Sequence, residues 1–305
     1  MALTYDQISA ITSKKFLPKL VDNIFNTNAV LKKLKAAEKP QDGGERVLVP
    51  LEYASTTASG WYQGSETLDT TDNEIVTSAE FTWRQLYASL AISRRDELRN
   101  SGDSAKIQFV MSKVKNAEKT IRNNLSTAIY NTGSDAKAVQ GLRLAVGTAN
   151  TYGGISQTDY SWWASNLDTT TTVLTLAAMQ GSYGDAGEGT EYPNLMVGDQ
   201  DQYDRYWNLL QPQQRFADEE MGKGGFKSIL FNGRPFVTDA SSPAGYLWFL
   251  NMDYLNLYPH KDENFRFEPW VKPINQNVKS AKIYWMGVFA SSNNRRHAAF
   301  SGITS

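Results

Sequence analysis

The chain has 305 residues, 41% of them hydrophobic, enough to bury a sizeable core in one large or two smaller domains. With 31 Lys and Arg against 32 Asp and Glu the net charge is −1, so the basic excess of a nucleic-acid groove is missing. The absence of cysteine excludes disulfides and thiol chemistry, and no apolar run approaches the ~20 residues that span a bilayer. The opening MALTYDQISAITSKKF lacks the charged start and apolar block of a secretion signal, so the expected location is the cytoplasm or an assembly made there.

Residues 1–44 read as an arm. Leu17, Leu20, Val21, Ile24 and Phe25 predict a short amphipathic helix broken near Pro18, and Val30, Leu31 and Leu34 a second turn or two. The run KAAEKPQDGGE then predicts a linker. An arm with so few apolar residues either docks on its own chain or lies on a neighbouring subunit. Residues 45–92 read as a long two-stranded excursion. Val47, Val49, Leu51 and Tyr53 alternate with Leu48, Pro50 and Glu52 in a period of two, and the return strand runs from Ile75 to Ser93. Phe81 and Trp83 share one phase, whereas Leu86, Ala88, Leu90 and Ile92 share the other, which predicts a bulge or a change of buried face between them. The intervening ASTTASGWYQGSETLDTTDNE is poor in core formers and long for a compact domain, as a projecting or disordered loop would be.

Arg94, Arg95 and Arg99, with Asp96 and Glu97, form a charged knot, either an exposed turn with local ion pairs or an intersubunit contact. Asp103–Asn131 is the one long periodic helix. Ile107, Val110, Met111, Val114, Ala117, Ile121, Leu125 and Ala128 make a single stripe. Ser101, Asp103 and Ser104 are available as caps, and Gly133 suits a left-handed helix end. At 1.5 Å per residue the rod is roughly 40 Å long and needs an equally long surface to lie on. Lys113, Lys115, Lys119 and Arg122 mark its polar face.

Beyond it, KAVQGLRLAV predicts a short turn and strand, Tyr160, Trp162 and Trp163 an aromatic knot, and Thr171–Tyr183 a helix. Gly181–Gly189 predicts a flexible loop, Asn194–Gly198 a buried strand, and Asp199–Leu210 a helix capped by Asp199 with Tyr203, Tyr206, Trp207 and Leu210 on one face. QPQQRFADEEMGKGG is a polar loop. Lys227–Phe231, Arg234–Thr238, Tyr246–Leu250, Lys279–Ala290 and Arg296–Ile303 predict strands, and Phe265 and Phe267 alternate in a further β segment.

Little here resembles catalytic chemistry. With His260 and His297 as the only histidines and no cysteine, a zinc site is disfavoured. Neither histidine lies beside a nucleophile elbow, and His297, after Arg295 and Arg296, reads as solvated. Gly181–Gly189 lacks the Lys-Ser/Thr ending of a phosphate loop. Asp199, Asp201 and Asp204 fit a helix start, and Asp218, Glu219 and Glu220 a solvated loop. No catalytic, cofactor-binding or metal residue is assigned.

The order of parts resembles the HK-97-type fold of the major capsid proteins of tailed bacteriophages (Caudoviricetes). The resemblance is carried by RVLVPLEYASTTASGWYQGSETLDTTDNEIVTSAEFTWRQLYASLAIS with the helix that follows, and by PNLMVGDQDQYDRYWNLLQPQQRF, FNGRPFVTD, GYLWFLNMDYLNL and IYWMGVFASSNNRRHAAFSGI. It implies an α+β fold with an N-arm (1–44), an extended loop (45–92), a peripheral domain (93–160 and 259–305, with the spine helix 103–131) and an axial domain (161–258), with Gly181–Gly189 or Arg215–Gly225 near the axes. It implies a non-enzymatic protein that self-assembles as pentamers and hexamers into an icosahedral head around double-stranded DNA, located in the virion and assembled in the host cytoplasm. The implied partners are other copies, a portal protein, a decoration or cement protein, and DNA contacted non-specifically, with no membrane.

Trp61, Tyr62, Phe81 and Trp83 are then expected as intersubunit anchors, with Arg94, Arg95 and Arg99 as charged contacts. Some relatives crosslink through a lysine of the extended loop. No lysine lies between Lys39 and Lys106, so no such bond is expected. Others begin with a long scaffolding segment, and the short arm implies a separate scaffolding protein or none. Two other readings stay open: an encapsulin-type compartment shell with the same fold, and a cytoplasmic hydrolase with carboxylate chemistry in the middle region.

Overall fold

The computed structural model describes residues 28–99, 103–170, 173–210, 228–274 and 276–304, without the side chains of 97, 98, 103–107 and 228. The helix expected over Leu17–Phe25, the capping side chains of Ser101, Asp103 and Ser104, the side chain of Ile107 and the Arg215–Gly225 loop lie outside the described residues.

In chain order the first elements are α1 (Ala29–Ala36), β1 (Arg46–Glu52), β2 (Val76–Thr82), β3 (Arg84–Ser93), α2 (Arg94–Arg99) and the spine helix α3 (Asp103–Ile129). They continue with α4 (Leu142–Ala145), β4 (Thr151–Tyr152), β5 (Ile155–Ser156), β6 (Asn166–Asp168), α5 (Leu176–Asp185), β7 (Leu195–Gly198) and α6 (Gln200–Leu209). The last are β8 (Ser228–Phe231), β9 (Arg234–Thr238), β10 (Leu247–Leu250), β11 (Leu255–Pro259), β12 (Arg266–Val271), β13 (Val278–Ser291) and β14 (Ala298–Phe300).

The surface that the spine helix needs is the sheet built on β13. On one edge β13 pairs antiparallel with β3, from Val278↔Ser93 to Gly287↔Arg84. Gly287 also pairs with Pro259, so β12 and then β11 occupy the other edge. Val110, Val114, Ala117, Ile121, Leu125 and Ile129 are buried on this sheet, against Ala88, Leu90 and Ile92 of β3 and Ala281, Ile283 and Trp285 of β13. Met111 and Ala128, at the margin of the stripe, are half-buried. The helix ends at Ile129, short of the expected Asn131, so Gly133, left-handed at φ +82°, lies in the turn beyond it, donating its N–H to Asn131 Oδ1 at 3.1 Å, and does not cap the helix.

The second sheet has the order β6-β14-β10-β7-β9-β8, with β6/β14 and β7/β9 parallel and the other pairs antiparallel. It is a partition between two cores. Leu195, Val197, Val237, Trp248, Leu250 and Ala299 face the spine-helix core, while Met196, Phe236, Leu247, Phe249, Ala298 and Phe300 face α5 and α6. The period-two alternation of a strand thus places an apolar residue on both faces. Because β14 completes this sheet and β11 the β13 sheet, a boundary at 258/259 does not follow the strand pairing: Ala298–Phe300 belongs with the middle region and Leu255–Pro259 mostly with the long sheet.

Several local expectations are corrected. Leu142–Ala145 is a short helix and not a strand, since four residues are too few for periodicity to separate the two. The helix of the 171–183 region starts at Leu176, with Thr175 as its cap, and runs to Asp185, so the first half of the expected Gly181–Gly189 loop is helical. Met179 and Tyr183 are buried on the second core and hold it. In α6, Tyr203, Tyr206 and the following Leu210 are buried but Trp207 is exposed. Asp199 caps α6 as expected, accepting from Gln202 N at 2.9 Å.

The arm is docked from residue 28 onward. Ala29, Val30, Leu31 and Leu34 are buried in the main core. The expected linker is held beside β11, with Lys39 N donating to Leu257 O at 2.9 Å and Gln41 N to Pro259 O at 3.0 Å. Asn28 caps α1 and donates from its side chain to Asp239 at 2.6 Å, while the Tyr130 hydroxyl donates to the same carboxylate oxygen at 2.5 Å. The arm, the end of the spine helix and the end of β9 meet at this one buried acid, whose carboxyl is pushed above its ordinary range by burial.

Ile121 is 1% exposed at the centre of the stripe, whereas Lys115 is exposed. Ile121→Asp is expected to yield no soluble folded protein, because it buries an unpaired charge. Lys115→Ala is expected to keep the parent circular dichroism spectrum and unfolding midpoint.

Candidate intersubunit surface

β1 and β2 form a regular antiparallel hairpin from Arg46↔Thr82 to Glu52↔Val76. Its inner face, Val47, Val49, Leu51, Ala79 and Phe81, packs on Tyr152, Trp163, Tyr258, Val288 and Ala290. The turn of the β4–β5 hairpin is pressed against it. Gly153 has φ +58°, accepts from Glu80 N at 2.8 Å, and has no room for a Cβ, which would fall 2.8 Å from Ala79 Cβ and Phe81 Cζ. The aromatic knot supports the loop root, with Trp162 stacked on Tyr53 at 5.0 Å and tilted against Trp163 at 5.8 Å.

The expected change of face between Trp83 and Leu86 is a change of sheet. β2 ends at Thr82, β3 begins at Arg84, and β3 pairs with β13 while β2 pairs with β1. Trp83 sits at the break, donating from Nε1 to Gly44 O at 2.8 Å with its ring edge-on to His260 at 5.5 Å.

The four expected anchors therefore divide. Trp61 is fully exposed and Tyr62 is 66% exposed on the projecting 53–75 loop. Phe81 is 2% exposed and fills the core of its own chain, and Trp83 is half-buried against its own arm. Phe81 is thereby committed to the core of its own chain, and Trp83 is tied to its own arm and packs in part on the hairpin base. The loop is organised by short-range bonds: Tyr53 OH to Glu74 O at 2.8 Å, Asn73 Nδ2 to Thr57 at 2.7 Å, and the Asp69 carboxylate accepting from Thr71 N and Oγ1 at 2.9 and 2.7 Å. The Thr71 bonds hold the Asp69 carboxyl below its usual range. Arg94, Arg95 and Arg99 are exposed on α2, and Asp96 is bonded to Ser93 Oγ at 2.7 Å.

The remaining candidates for chemistry sit in structural roles. His260 caps a 3-10 turn, accepting from Asp262 N at 3.2 Å. His297, expected at the surface, is fully buried. Its Nδ1 accepts from Asn251 N at 3.2 Å, and its Nε2 is 3.1 Å from Ser291 Oγ. An Nδ1 that accepts leaves the proton on Nε2, so this ring donates to the serine and has no lone pair with which to activate it. A hollow of about 650 Å³ between the end of α3, the start of β3 and Trp285 holds one carboxylate, Asp135, and no histidine. Among the described residues no three His, Cys, Asp or Glu gather as a metal site, and no helix is long and apolar enough to cross a membrane. The 186–193 turn, which leaves the end of α5, is fixed by Arg296 to Glu188 at 2.8 Å and by Tyr254 OH to Glu191 at 2.5 Å.

No family model and no curated protein matches the sequence. Solved structures do. A chain of the Cyanophage A-1(L) capsid asymmetric unit superposes with a TM-score of 0.69 at 16% identity, over 92% of this chain and 94% of that one. A capsid chain of a native GTA particle gives 0.61 at 11% identity, over 89% and 90%. The encapsulin of the holo-SrpI complex from Synechococcus elongatus PCC 7942 gives 0.59 at 11% identity, over 99% and 96%. Spine helix, extended hairpin and two sheets together are thus the HK-97-like capsid fold, present across nearly the whole chain.

Burial holds the His297 imidazole neutral and lowers its pKa from 6.5 to about 3. The unfolded chain takes up a proton below pH 6.5 and the folded chain does not, so stability falls as pH drops from 6.5 towards 3. The loss is about 2 kcal/mol by pH 5. His297→Asn retains an acceptor for Asn251 N–H, and its unfolding midpoint is expected to change less between pH 7 and pH 5 than the parent's. Parallel slopes would show that His297 does not govern this window.

Proposed function

We propose that this chain is the major capsid protein of a tailed phage, forming hexamers and pentamers that close into an icosahedral head around double-stranded DNA. The observation that carries the reading is the projecting 53–75 loop, which exposes Trp61, Tyr62 and Leu68 on a chain whose fold is otherwise that of shell subunits. An isolated globular protein gains nothing from a fully exposed tryptophan at the end of a long hairpin. A shell subunit gains an anchor, since aromatic side chains dominate interface energetics.

In this reading the β13 sheet with the spine helix is the peripheral domain, the six-stranded sheet with α5 and α6 is the axial domain, and β1–β2 is the extended loop laid over a neighbour. Portal and decoration proteins and non-specifically held DNA are the further partners, and the virion is the location. Absence of catalysis follows from the same reading. The hydrolase alternative would need paired carboxylates or an activating histidine, and neither the 650 Å³ hollow nor the Ser291–His297 pair supplies them. An encapsulin-type shell is the second reading, favoured by the match over 99% of this chain. Superposition is tighter on the cyanophage capsid chain, 0.69 against 0.59.

Negative-stain microscopy of the expressed chain is expected to show closed shells, tubes or capsomers, and a uniform monomer would overturn the proposal. Particles from infected cells should hold nuclease-protected DNA, where an encapsulin would hold protein cargo. Boiling in SDS should release a 34.1 kDa monomer, since no lysine lies between Lys39 and Lys106 to form a crosslink at the loop. A persistent high-mass ladder would contradict the assignment of no bond there.

A further inference from the structure

The charge of the chain is near zero in sum but segregated in space. Between Arg46 and Arg84 there is no Lys or Arg, while Glu66, Asp69, Asp72 and Glu74 lie on the projecting 53–75 loop. Among the described residues no cation of the same chain pairs with these four acids. The opposite sign prevails at the corner where α2 meets the end of β12 and the start of β13: Arg94, Arg95, Arg99, Lys272 and Lys279 outnumber Asp96 and Glu97 of α2. Arg94, Lys272, Asn277, Val278 and Lys279 line a hollow of about 310 Å³, and Arg94 N donates to Asn277 O at 3.1 Å, tying the two elements together. Arg95 and Arg99 are exposed on the same short helix, four residues apart. Beside the hollow, Ile274 is fully exposed and Val271 half exposed.

We propose that the 53–75 loop of one copy seats on this corner of a second copy. Its carboxylates would face Arg94, Arg95, Arg99, Lys272 and Lys279, and Trp61 and Tyr62 would cover Val271 and Ile274. Each surface offers what the other lacks: acids with exposed aromatics on the loop, cations with exposed aliphatics on the corner. Charges so placed steer encounter and fix register, and they weaken as salt shortens the screening length from about 8 Å at 0.15 M to about 3 Å at 1 M. The proposal rests on the shell reading and names the surface that the loop meets.

The test is a charge exchange in the full chain, read by sedimentation of assembled material. Asp72, Glu74, Lys272 and Arg99 are all exposed, so their reversal is expected to leave the circular dichroism spectrum unchanged. Asp72→Lys with Glu74→Lys, and separately Lys272→Glu with Arg99→Glu, should each lower the assembled fraction at 0.1 M salt by about tenfold, the scale of a few surface ion pairs lost together. Carrying both pairs of changes in one chain should restore assembly. Reversals that assemble like the parent, or a combined variant no better than either alone, would overturn the proposal and leave the shell reading intact. A parent that stays monomeric overturns both. Loss of retention on immobilised duplex DNA by the Lys272→Glu, Arg99→Glu variant, with assembly unchanged, would make the corner a DNA contact and also overturn the proposal.

Discussion

The long strand β13 is the constraint on which the rest of the molecule depends. Its alternation feeds two different cores: Ala281, Ile283 and Trp285 point into the spine-helix core, and further along Val288 and Ala290 point into the hairpin core. Both of its edges are occupied, by β3 on one side and by β12 and β11 on the other. A slip of one residue would exchange buried for exposed positions on every one of these partners, so the register is fixed by burial from several directions. The spine helix has a floor, and the extended hairpin a foundation, because the same strand supplies both.

The six-stranded sheet and the buried Asp239 then join the two halves. A sheet with apolar residues on both faces must be covered on both, and here the spine-helix core covers one and α5 with α6 the other. Asp239 holds three elements by hydrogen bonds alone. Its carboxylate is costly to bury, and it is compensated by Asn28, Tyr130 and Ser241 N, the last at 2.9 Å. The helix that opens the described arm is thus part of the core and not an appendage to it.

Much of this was legible in the residues. The stripe from Val110 to Leu125 has a single face and no competing period, and the phase flip at Trp83 encodes the change of sheet. What was not legible depends on distant partners. Phe81 has the same aromatic character as Trp61, and only the apposition of Gly153 and Tyr152 shows that one is core and the other surface. His297 follows two arginines and reads as solvated, but a 3-10 turn at Asn294–Arg296 directs it inwards. β14 lies at the end of the tail and pairs with β6 and β10, a long-range association with no local pattern. Of the candidate contact residues, Trp61, Tyr62 and the α2 arginines were separable from Phe81 and Trp83 only by exposure, which composition does not carry.

Trp83 has a mechanical meaning. It is the one residue between β2 and β3, and its indole is bonded to Gly44 on the segment that enters β1. Both legs of the hairpin are therefore clamped at a single fulcrum. The inner face of the strands beyond it is packed on Tyr152, Trp163 and β13, so clamp and hairpin core together set the direction in which the 53–75 loop projects. A small change at Gly44 or Trp83 would therefore be felt at the distant loop tip as a change of aim, while the strands between keep their register.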